Sequence, residues 1–184
     1  ALWSKGNRSI AGSGPGLSPD ETGQYVLCSS SDDGLTWSAT YTITPQIKNT
    51  AWKIFFQGPG SGIAMQDGTL VFPSQYWDPT GVPYSNIIYS KDYGLTWKTS
   101  TAAPKSNTTE SQVVETRPGV LMLNMRDNRG QFRSVATTSD LGSTWTEHPT
   151  SRTALPDPVC MGSLIKATIN LNGAKREVLF FSTP

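Results

Sequence analysis

The stretch Ser30-Ser31-Asp32-Asp33-Gly34-Leu35-Thr36-Trp37 decides the fold, because the chain repeats its pattern twice. Ser90-Lys91-Asp92-Tyr93-Gly94-Leu95-Thr96-Trp97 keeps every position of the pattern Ser-x-Asp-x-Gly-x-Thr-Trp. Thr138-Ser139-Asp140-Leu141-Gly142-Ser143-Thr144-Trp145 begins with Thr in place of Ser. The copies start at positions 30, 90 and 138, so they lie 60 and then 48 residues apart. This spacing suits one small β-sheet per repeat better than one turn of a solenoid.

Each copy has the chemistry of a tight hairpin. It follows an apolar strand-like run, as Tyr25-Val26-Leu27-Cys28 does before the first copy. The Asp carboxylate can accept backbone N–H groups across the turn, Gly permits a positive φ, and Trp needs a slot that buries its ring. A residue that recurs in every copy serves the repeat, whereas a catalytic residue is needed once. We therefore assign the recurring residues to hairpin structure on the outer part of each repeat: Asp32, Asp92, Asp140, Trp37, Trp97 and Trp145.

The composition favours an all-β protein. Of 184 residues, 17 are Gly and 13 are Pro, and the apolar segments alternate with a period of two without a long amphipathic helix. A net charge of +1 provides no basic field for nucleic acid, and no apolar run approaches the 18 residues of a membrane span. A single His, with the Asp residues engaged in hairpins, predicts no metal site, and no cofactor loop is visible. The two cysteines, Cys28 and Cys160, lie in different repeats and are expected to be free and buried.

The repeated motif resembles the Asp box of sialidase-type β-propellers. On this basis the chain is interpreted as about three blades of a six-bladed β-propeller, in the approximate ranges 1–45, 46–104 and 105–152, with a further blade starting at 153–184. A half ring would leave two unpaired edges, which propellers normally eliminate by closure. Both ends of the sequence also read as interrupted strands. We therefore expect residues 1–184 to be a segment of a longer propeller.

A hairpin that is not repeated carries a second pattern. Its turn is predicted at Arg117-Pro118-Gly119. Counting outward from this turn gives the opposed pairs 116/120, Val114/Met122, Gln112/Asn124 and Glu110/Arg126. Opposed residues on one sheet face have Cβ atoms about 4.5–5.5 Å apart, so this face would be apolar near the turn and polar at its far end. From the residues alone, the Glu/Arg pair could be a functional site or an exposed ion pair that contributes little.

The same hairpin resembles the corresponding blade of exo-α-sialidases, especially those of Bacteroides-type gut bacteria. The resemblance extends over essentially the whole chain and rests on Thr109-Glu110-Ser-Gln112-Val-Val-Glu115, Leu123-Asn124-Met-Arg126, Arg133-Ser-Val-Ala136, Gln57-Gly-Pro-Gly60 and Pro158-Val-Cys160-Met-Gly162-Ser163. It implies a glycoside hydrolase that removes terminal sialic acids from glycoconjugates. The reaction in that family retains configuration and passes through a tyrosyl-enzyme intermediate, an exception to the usual two-carboxylate scheme.

The resemblance also implies roles for individual residues. Glu110 would activate the tyrosine nucleophile, and Arg126 would be the second of three arginines that hold the sialic acid carboxylate. Gln75 would contact the glycerol chain of the sugar, and Gln57 would line the pocket wall. The nucleophile, the Asp acid/base and the other two arginines are expected outside this chain, so the isolated segment is expected to be inactive. Two further arginines are interpreted as surface or blade contacts, namely Arg129 and Arg133.

Two alternatives stay open from the sequence. A non-catalytic Asp-box propeller could serve as a glycan-binding or protein-docking module, but it would have no need of Glu110. A relative that transfers sialic acid or forms an anhydro product cannot be separated from a hydrolase. Sialylated glycans are the expected partners, and no nucleic acid or membrane span is expected. Because such glycans lie outside cells, we expect a secreted, periplasmic or cell-surface location.

Overall fold

A computed structural model describes Leu2–Trp3 and residues 9–184 of the chain. Within these ranges the protein consists of short β-strands and one four-residue helix. In chain order the elements are β1 (Leu2–Trp3), β2 (Gln24–Leu27), β3 (Tyr41–Thr42), α1 (Thr44–Ile47), β4 (Ile54–Gln57), β5 (Ile63–Ala64), β6 (Leu70–Trp77), β7 (Pro83–Ser90), β8 (Lys98–Thr99), β9 (Thr108–Arg117), β10 (Val120–Asp127), β11 (Gln131–Phe132), β12 (Ser134–Thr138), β13 (Thr146–Glu147), β14 (Pro156–Asp157), β15 (Ser163–Leu171) and β16 (Ala174–Ser182). This content confirms the all-β prediction.

The strands pair antiparallel in consecutive sheets. The first sheet has the order β1-β2-β3, and the second has the order β4-β6-β7-β8 with β5 also paired to β6. The third sheet has the order β9-β10-β12-β13, and the hairpin β15-β16 follows it. A small ladder joins β11 to β14. The ladder β11-β14 crosses the expected limit at residue 152, and the blade limits stay predictions.

Both faces of the second sheet are buried, because it is packed between its neighbours. Ile87 and Ile88 are adjacent on β7 and both are fully buried, yet they belong to different apolar clusters. The cluster between the first and second sheets contains Tyr25, Ile43, Ile47, Phe55, Tyr76, Ile88 and Trp97. The cluster between the second and third sheets contains Met65, Val71, Ile87, Ala103, Val113, Leu121, Leu123, Met125 and Ala136. This stacking of sheets face to face fixes the position of each inner strand.

The three Asp boxes share one hydrogen-bonded structure. In the second box, Asp92 Oδ1 accepts the Thr96 backbone N–H at 2.9 Å and the Ser90 hydroxyl at 2.8 Å. Ser90 Oγ in turn accepts the Gly94 N–H at 2.8 Å. The Gly of each box has a positive φ as predicted, and so does the residue before it, which the sequence did not indicate: Asp33, Tyr93 and Leu141. The recurring Asp residues therefore serve hairpin structure.

Burial of the box tryptophans differs from the prediction. Trp97 is 4% exposed, but Trp37 is 62% exposed and Trp145 is half-buried. Trp97 is covered because α1 and the second sheet pack around it, whereas no described residue covers Trp37 in that way. The expectation that all three rings are buried is therefore wrong for Trp37. The cysteines are free as expected, but Cys28 is exposed and Cys160 is only half-buried, since both lie beyond the ends of strands.

The hairpin β9-β10 keeps the predicted register along most of its length. Val114 pairs with Met122, and Gln112 pairs with Asn124. Near the turn the prediction is wrong, because Val120 pairs with Arg117 and not with residue 116. Pro118 and Gly119, with a φ of 74° at Gly119, form a two-residue turn, and the register shift at this point accommodates one extra residue on β9. Beyond this bulge the predicted pairing holds as far as Met125 and Ser111. A second register shift follows between Met125 and Asp127, where Asp127 pairs with Thr108, so the predicted pair Glu110/Arg126 is not part of the ladder.

Candidate functional site

Glu110 and Arg126 meet at one end of the third sheet. Arg126 Nη1 donates to Glu110 Oε2 at 2.7 Å, so the two side chains lie on the same face of β9 and β10. About a quarter of the Glu110 side chain and a third of the Arg126 side chain are exposed, at 26% and 30%. Arg126 Nε is buried without a hydrogen-bond partner in the described part of the chain. The pair is thus accessible to a ligand and retains unused donors.

The loop after β4 lies directly against this end of β9. A Cβ added at Gly58 would meet the backbone N of Ser111 at 2.9 Å, so only glycine allows the loop to approach this closely. Gln112 donates from Nε2 to the Pro59 carbonyl at 3.0 Å, and Gln112 itself is buried. These contacts hold the loop against Ser111, the residue that follows Glu110.

Two cavities follow β9 along the same side of the sheet. The first, of about 530 Å³, lies between Pro59–Ser61, Gln112, Met161–Ser163 and Ser182–Pro184. The second, of about 470 Å³, continues toward Gln66, Glu115 and Lys166 and shares Gln112 with the first. Glu110 and Arg126 line neither cavity, but Glu110 lies two residues from Gln112 on the same strand.

A second arginine, Arg133, lies close to the Glu110–Arg126 pair. Arg133 is fully buried, and its Nε donates to Asn124 Oδ1 at 2.7 Å. Its Nη1 donates to the Cys160 carbonyl at 2.6 Å and forms an ion pair with the buried Asp157 at 3.3 Å. Burial lowers the pKa of Arg133, and the Asp157 carboxylate opposes that effect. Arg133 was expected to be a surface or blade contact; its burial excludes the surface position, and its contacts bridge β10 to the segment before β15.

The other predicted residues lie at different depths. Gln57 ends β4 and is half-buried, in the strand that leads into the loop against β9. Gln75 is 2% exposed in β6, between Phe56 and Ser85 on the neighbouring strands. Their contacts to a sugar stay predictions. Arg129 bonds Asp127 Oδ1 from Nε at 2.8 Å, as expected for a contact within a blade.

Asp127, next to Arg126, belongs to a buried ionic cluster that the sequence did not indicate. Burial alone would raise the pKa of Asp127, but hydrogen bonds from Arg129, Ser134 and Arg152 hold it well below its ordinary value. Asp127 therefore stays ionised and fixes the end of β10. The signal that could have revealed it is a carboxylate in an apolar strand with arginines nearby in the sequence.

The third Asp box lies at the opposite end of the third sheet from the Glu110–Arg126 pair. Its first residue, Thr138, pairs with Leu121, whereas Ser134 pairs with Met125. Five residues of strand separate Leu121 from Arg126, or about 17 Å. Asp140 consequently cannot share a site with Glu110, which supports its structural assignment.

The chain has recognisable relatives among known proteins. A family model described as a BNR repeat-like domain matches residues 5–184. The chain belongs to this family. A sialidase from Bacteroides fragilis is 54% identical to this BNR-repeat chain over 187 aligned positions, which include 100% of the chain and 34% of the relative. A sialidase from Clostridium perfringens is 39% identical over 76% of the chain and 39% of its own length.

Solved structures give the same relationship. The BNR-repeat chain superposes on a Hadza microbial sialidase with a TM-score of 0.89 at 50% identity, covering 97% of this chain and 36% of the other. It superposes on Trypanosoma rangeli sialidase in complex with 2,3-difluorosialic acid, a covalent intermediate, with a TM-score of 0.69 at 29% identity, covering 88% of this chain and 27% of the other. These matches confirm the resemblance to bacterial sialidases and the β-propeller type of the fold. The chain spans about a third of the length of these relatives.

Two absences concern the described residues. None of their helices is long and apolar enough to cross a membrane. Within the same ranges, no three His, Cys, Asp or Glu side chains are grouped as metal ligands would be.

Proposed function

We propose that this chain supplies part of the active site of an exo-α-sialidase, which hydrolyses terminal sialic acids from glycoconjugates. The observation that carries the proposal is the accessible Glu110–Arg126 pair, joined at 2.7 Å at the end of the sheet remote from the Asp box. The chain is also 54% identical to a protein named as a sialidase. The remaining catalytic groups would come from outside this chain.

Arg126 is suited to hold the carboxylate of a sialic acid. Its guanidinium is a planar fork that stays charged and can bind both oxygens of a carboxylate. One nitrogen is engaged by Glu110, while Nε has no protein partner among the described residues. Because Nε is itself buried, a ligand carboxylate would bind through the exposed part of the Arg126 side chain.

Glu110 is suited to act as a base. One of its oxygens accepts from Arg126, and no described residue donates to the other, which leaves Oε1 available for a proton. Because Arg126 holds the carboxylate in place, Oε1 would have a fixed position. In the proposed mechanism Glu110 accepts the proton of a tyrosine nucleophile, which attacks the anomeric carbon as the glycosidic C–O bond breaks. The leaving oxygen takes a proton from the Asp acid/base, and water then hydrolyses the tyrosyl-enzyme intermediate with the same Asp as base, so that the configuration is retained. The tyrosine and the Asp would come from outside this chain.

The alternative of a glycan-binding or protein-docking module explains less. A binding module has use for Arg126, but a carboxylate next to it would repel an acidic sugar. The accessible position of Glu110 is therefore easier to explain in an enzyme. Sialylated glycans would be the substrates, and a secreted, periplasmic or cell-surface location would bring the protein to them.

The test is hydrolysis of a fluorogenic α-sialoside by the protein that carries this chain. Glu110→Gln should lower kcat by about 10²-fold or more, or about 2.7 kcal/mol, with a smaller change in KM, because base assistance acts in the transition state. Arg126→Lys should raise KM and lower kcat/KM, since Lys loses the two-pronged grip.

Glu147→Gln is the matched control. Glu147 forms an ion pair of the same kind with Lys105, at 3.1 Å, on the outer strand β13, so its loss should leave both constants unchanged. A wild-type protein that does not cleave the sialoside would refute the proposed function. Near-normal turnover by the Glu110 variant would refute the role of Glu110 as a base.

A further inference from the structure

Arg133 is a charged side chain whose burial needs an explanation. It is fully buried and, among the described residues that are fully buried, it has the largest volume. A buried charge is tolerated only when it is paired and hydrogen-bonded. Arg133 meets this condition through groups on two sides, which belong to elements far apart in the sequence.

On one side Arg133 holds β10 near the candidate site. Its Nε bonds the Asn124 side chain at 2.7 Å, and its Nη2 bonds the Asn124 carbonyl at 3.4 Å. Asn124 lies two residues before Arg126 on the same strand, so both side chains project from the same face. The contact therefore fixes the segment that presents Arg126.

On the other side Arg133 holds the segment that leads to a cavity wall. It bonds the Cys160 carbonyl at 2.6 Å and Asp157 at 3.3 Å, and its guanidinium lies over the Phe181 ring of β16, 5.5 Å from the centroid. The Asp157 carboxylate also accepts the Cys160 N–H, at 3.1 Å. Met161 and Ser163, which follow directly, line the 530 Å³ cavity together with Gln112.

The backbone of this segment is strained. Val159 has a φ of 66°, in the left-handed region that is unfavourable for a β-branched residue. Such a conformation persists only where the surrounding structure imposes it, and it is common at functional sites. Asp157 and Cys160, the residues that Arg133 holds, lie on either side of Val159 and supply that constraint.

We propose that Arg133 is a positioning residue for the sialoside site. Through Asn124 it fixes Arg126, and through Asp157 and Cys160 it keeps the wall at Met161–Ser163 at a fixed distance from β10. Arg133 does not touch the substrate. This inference rests on the proposed function, because the site that it serves is the sialoside site.

The first test measures the wall without any activity assay. In a Cys28→Ser background of the protein that carries this chain, Cys160 is the remaining thiol of residues 1–184. Its rate of alkylation, followed on the Cys160 peptide by mass spectrometry, reports how firmly the segment is held. Arg133→Lys keeps the charge but cannot reach Asn124, Asp157 and Cys160 together, so it should increase the alkylation rate several-fold. Arg176→Lys, at an exposed position of β16, should leave the rate unchanged. An unchanged rate in the Arg133 variant would overturn the proposal.

The second test measures the consequence for the substrate in the protein that carries this chain. Arg133→Lys should raise KM several-fold and weaken the binding of a sialic acid analogue similarly, with a smaller effect on kcat of the folded fraction. A merely structural role would lower Tm and leave KM unchanged, which would overturn the proposal. If Arg133→Lys does not fold, Asp157→Asn and Phe181→Leu take its place, because each weakens a single contact of the guanidinium. Both variants must then show faster alkylation of Cys160 and a raised KM. Their failure to do so would likewise overturn the proposal.

The outcome for the proposed function is separate. A wild-type protein that does not hydrolyse sialosides refutes that function whatever the variants do. In that case faster alkylation of Cys160 would still support the conclusion that Arg133 holds the Asp157–Cys160 segment to β10. The role of Arg133 in the substrate site would nevertheless be refuted.

Discussion

Replacement of Trp97 by Ala separates burial from the hydrogen bonding of the Asp box. Trp97 and Trp37 occupy the same position in their boxes, and each donates from Nε1 to the carbonyl of the box Gly, at 3.0 and 3.1 Å. Their exposures differ, however, at 4% and 62%. Trp97 packs against Phe72, with ring centroids 5.5 Å apart, within the cluster between the first and second sheets. Any difference between the two substitutions therefore reports burial.

The expected magnitudes are well separated. Truncation of a buried Trp to Ala costs about 3–5 kcal/mol of unfolding free energy, whereas substitutions at exposed positions usually stay within about 0.5 kcal/mol. For a domain of this size the first value corresponds to a fall in Tm of about 6–20 °C. Trp145→Ala, at a half-buried ring, should fall between the two.

The assay is thermal unfolding of the 184-residue chain, followed by calorimetry so that the loss of a fluorophore does not matter. Equal losses for Trp37→Ala and Trp97→Ala would refute the reasoning. They would mean that the motif stabilises the sheet through its local hydrogen bonds and not through the core between sheets.

Two further predictions concern acid stability and a glycine. Hydrogen bonds from the Thr of each box, followed by those from its Ser or Thr, lower the pKa of Asp32, Asp92 and Asp140 to about 2, so the folded state binds fewer protons than the unfolded chain. The stability that these carboxylates add is present above about pH 4 and should be lost as the pH falls toward 2. Asp92→Asn should therefore make the fall of Tm between about pH 4 and about pH 2 less steep. An unchanged slope of Tm against pH would contradict this prediction. Gly60→Ala should lower Tm by several degrees, because φ is 124° and the new Cβ would overlap the Gln112 amide. Gly68→Ala is the control: its new Cβ would have no neighbour within 4 Å, so the fall in Tm should be smaller. Equal falls in Tm would argue against the packing of the loop on Gln112.

Local patterns in the sequence predict most of the sheet structure. The hairpin β9-β10 is an example. The alternation of apolar and polar side chains and the turn residues that indicate the hairpin all lie within 17 positions of the sequence, and they fix the pairing of Gln112 with Asn124. The bulge near Thr116 was missed because Pro118 and Gly119 can close a two-residue turn as well as a longer one. The same count predicted that Glu110 and Arg126 meet, and their side chains are in contact. The second register shift, between Met125 and Asp127, was not indicated by the sequence.

Contacts between distant segments could not be predicted in this way. Arg133 is polar and lies before a strand, so from the sequence it could be a surface or a blade contact. Its burial depends on Asp157, Cys160 and Phe181, and nothing in the spacing indicates that these groups converge on it. The exposure of Trp37 has the same origin, since a motif specifies its own turn and not the neighbour that covers its ring.

The central claim is that Arg126 holds the carboxylate of a bound sialic acid. A crystal structure of the protein that carries this chain, with an unreactive sialic acid analogue, tests it most directly. The account predicts a carboxylate oxygen within about 2.7–2.9 Å of an Arg126 nitrogen, with Glu110 on the same side of the sugar. An analogue bound at an Asp box, or bound in one of the two cavities along β9 without contact to Arg126, would contradict the account.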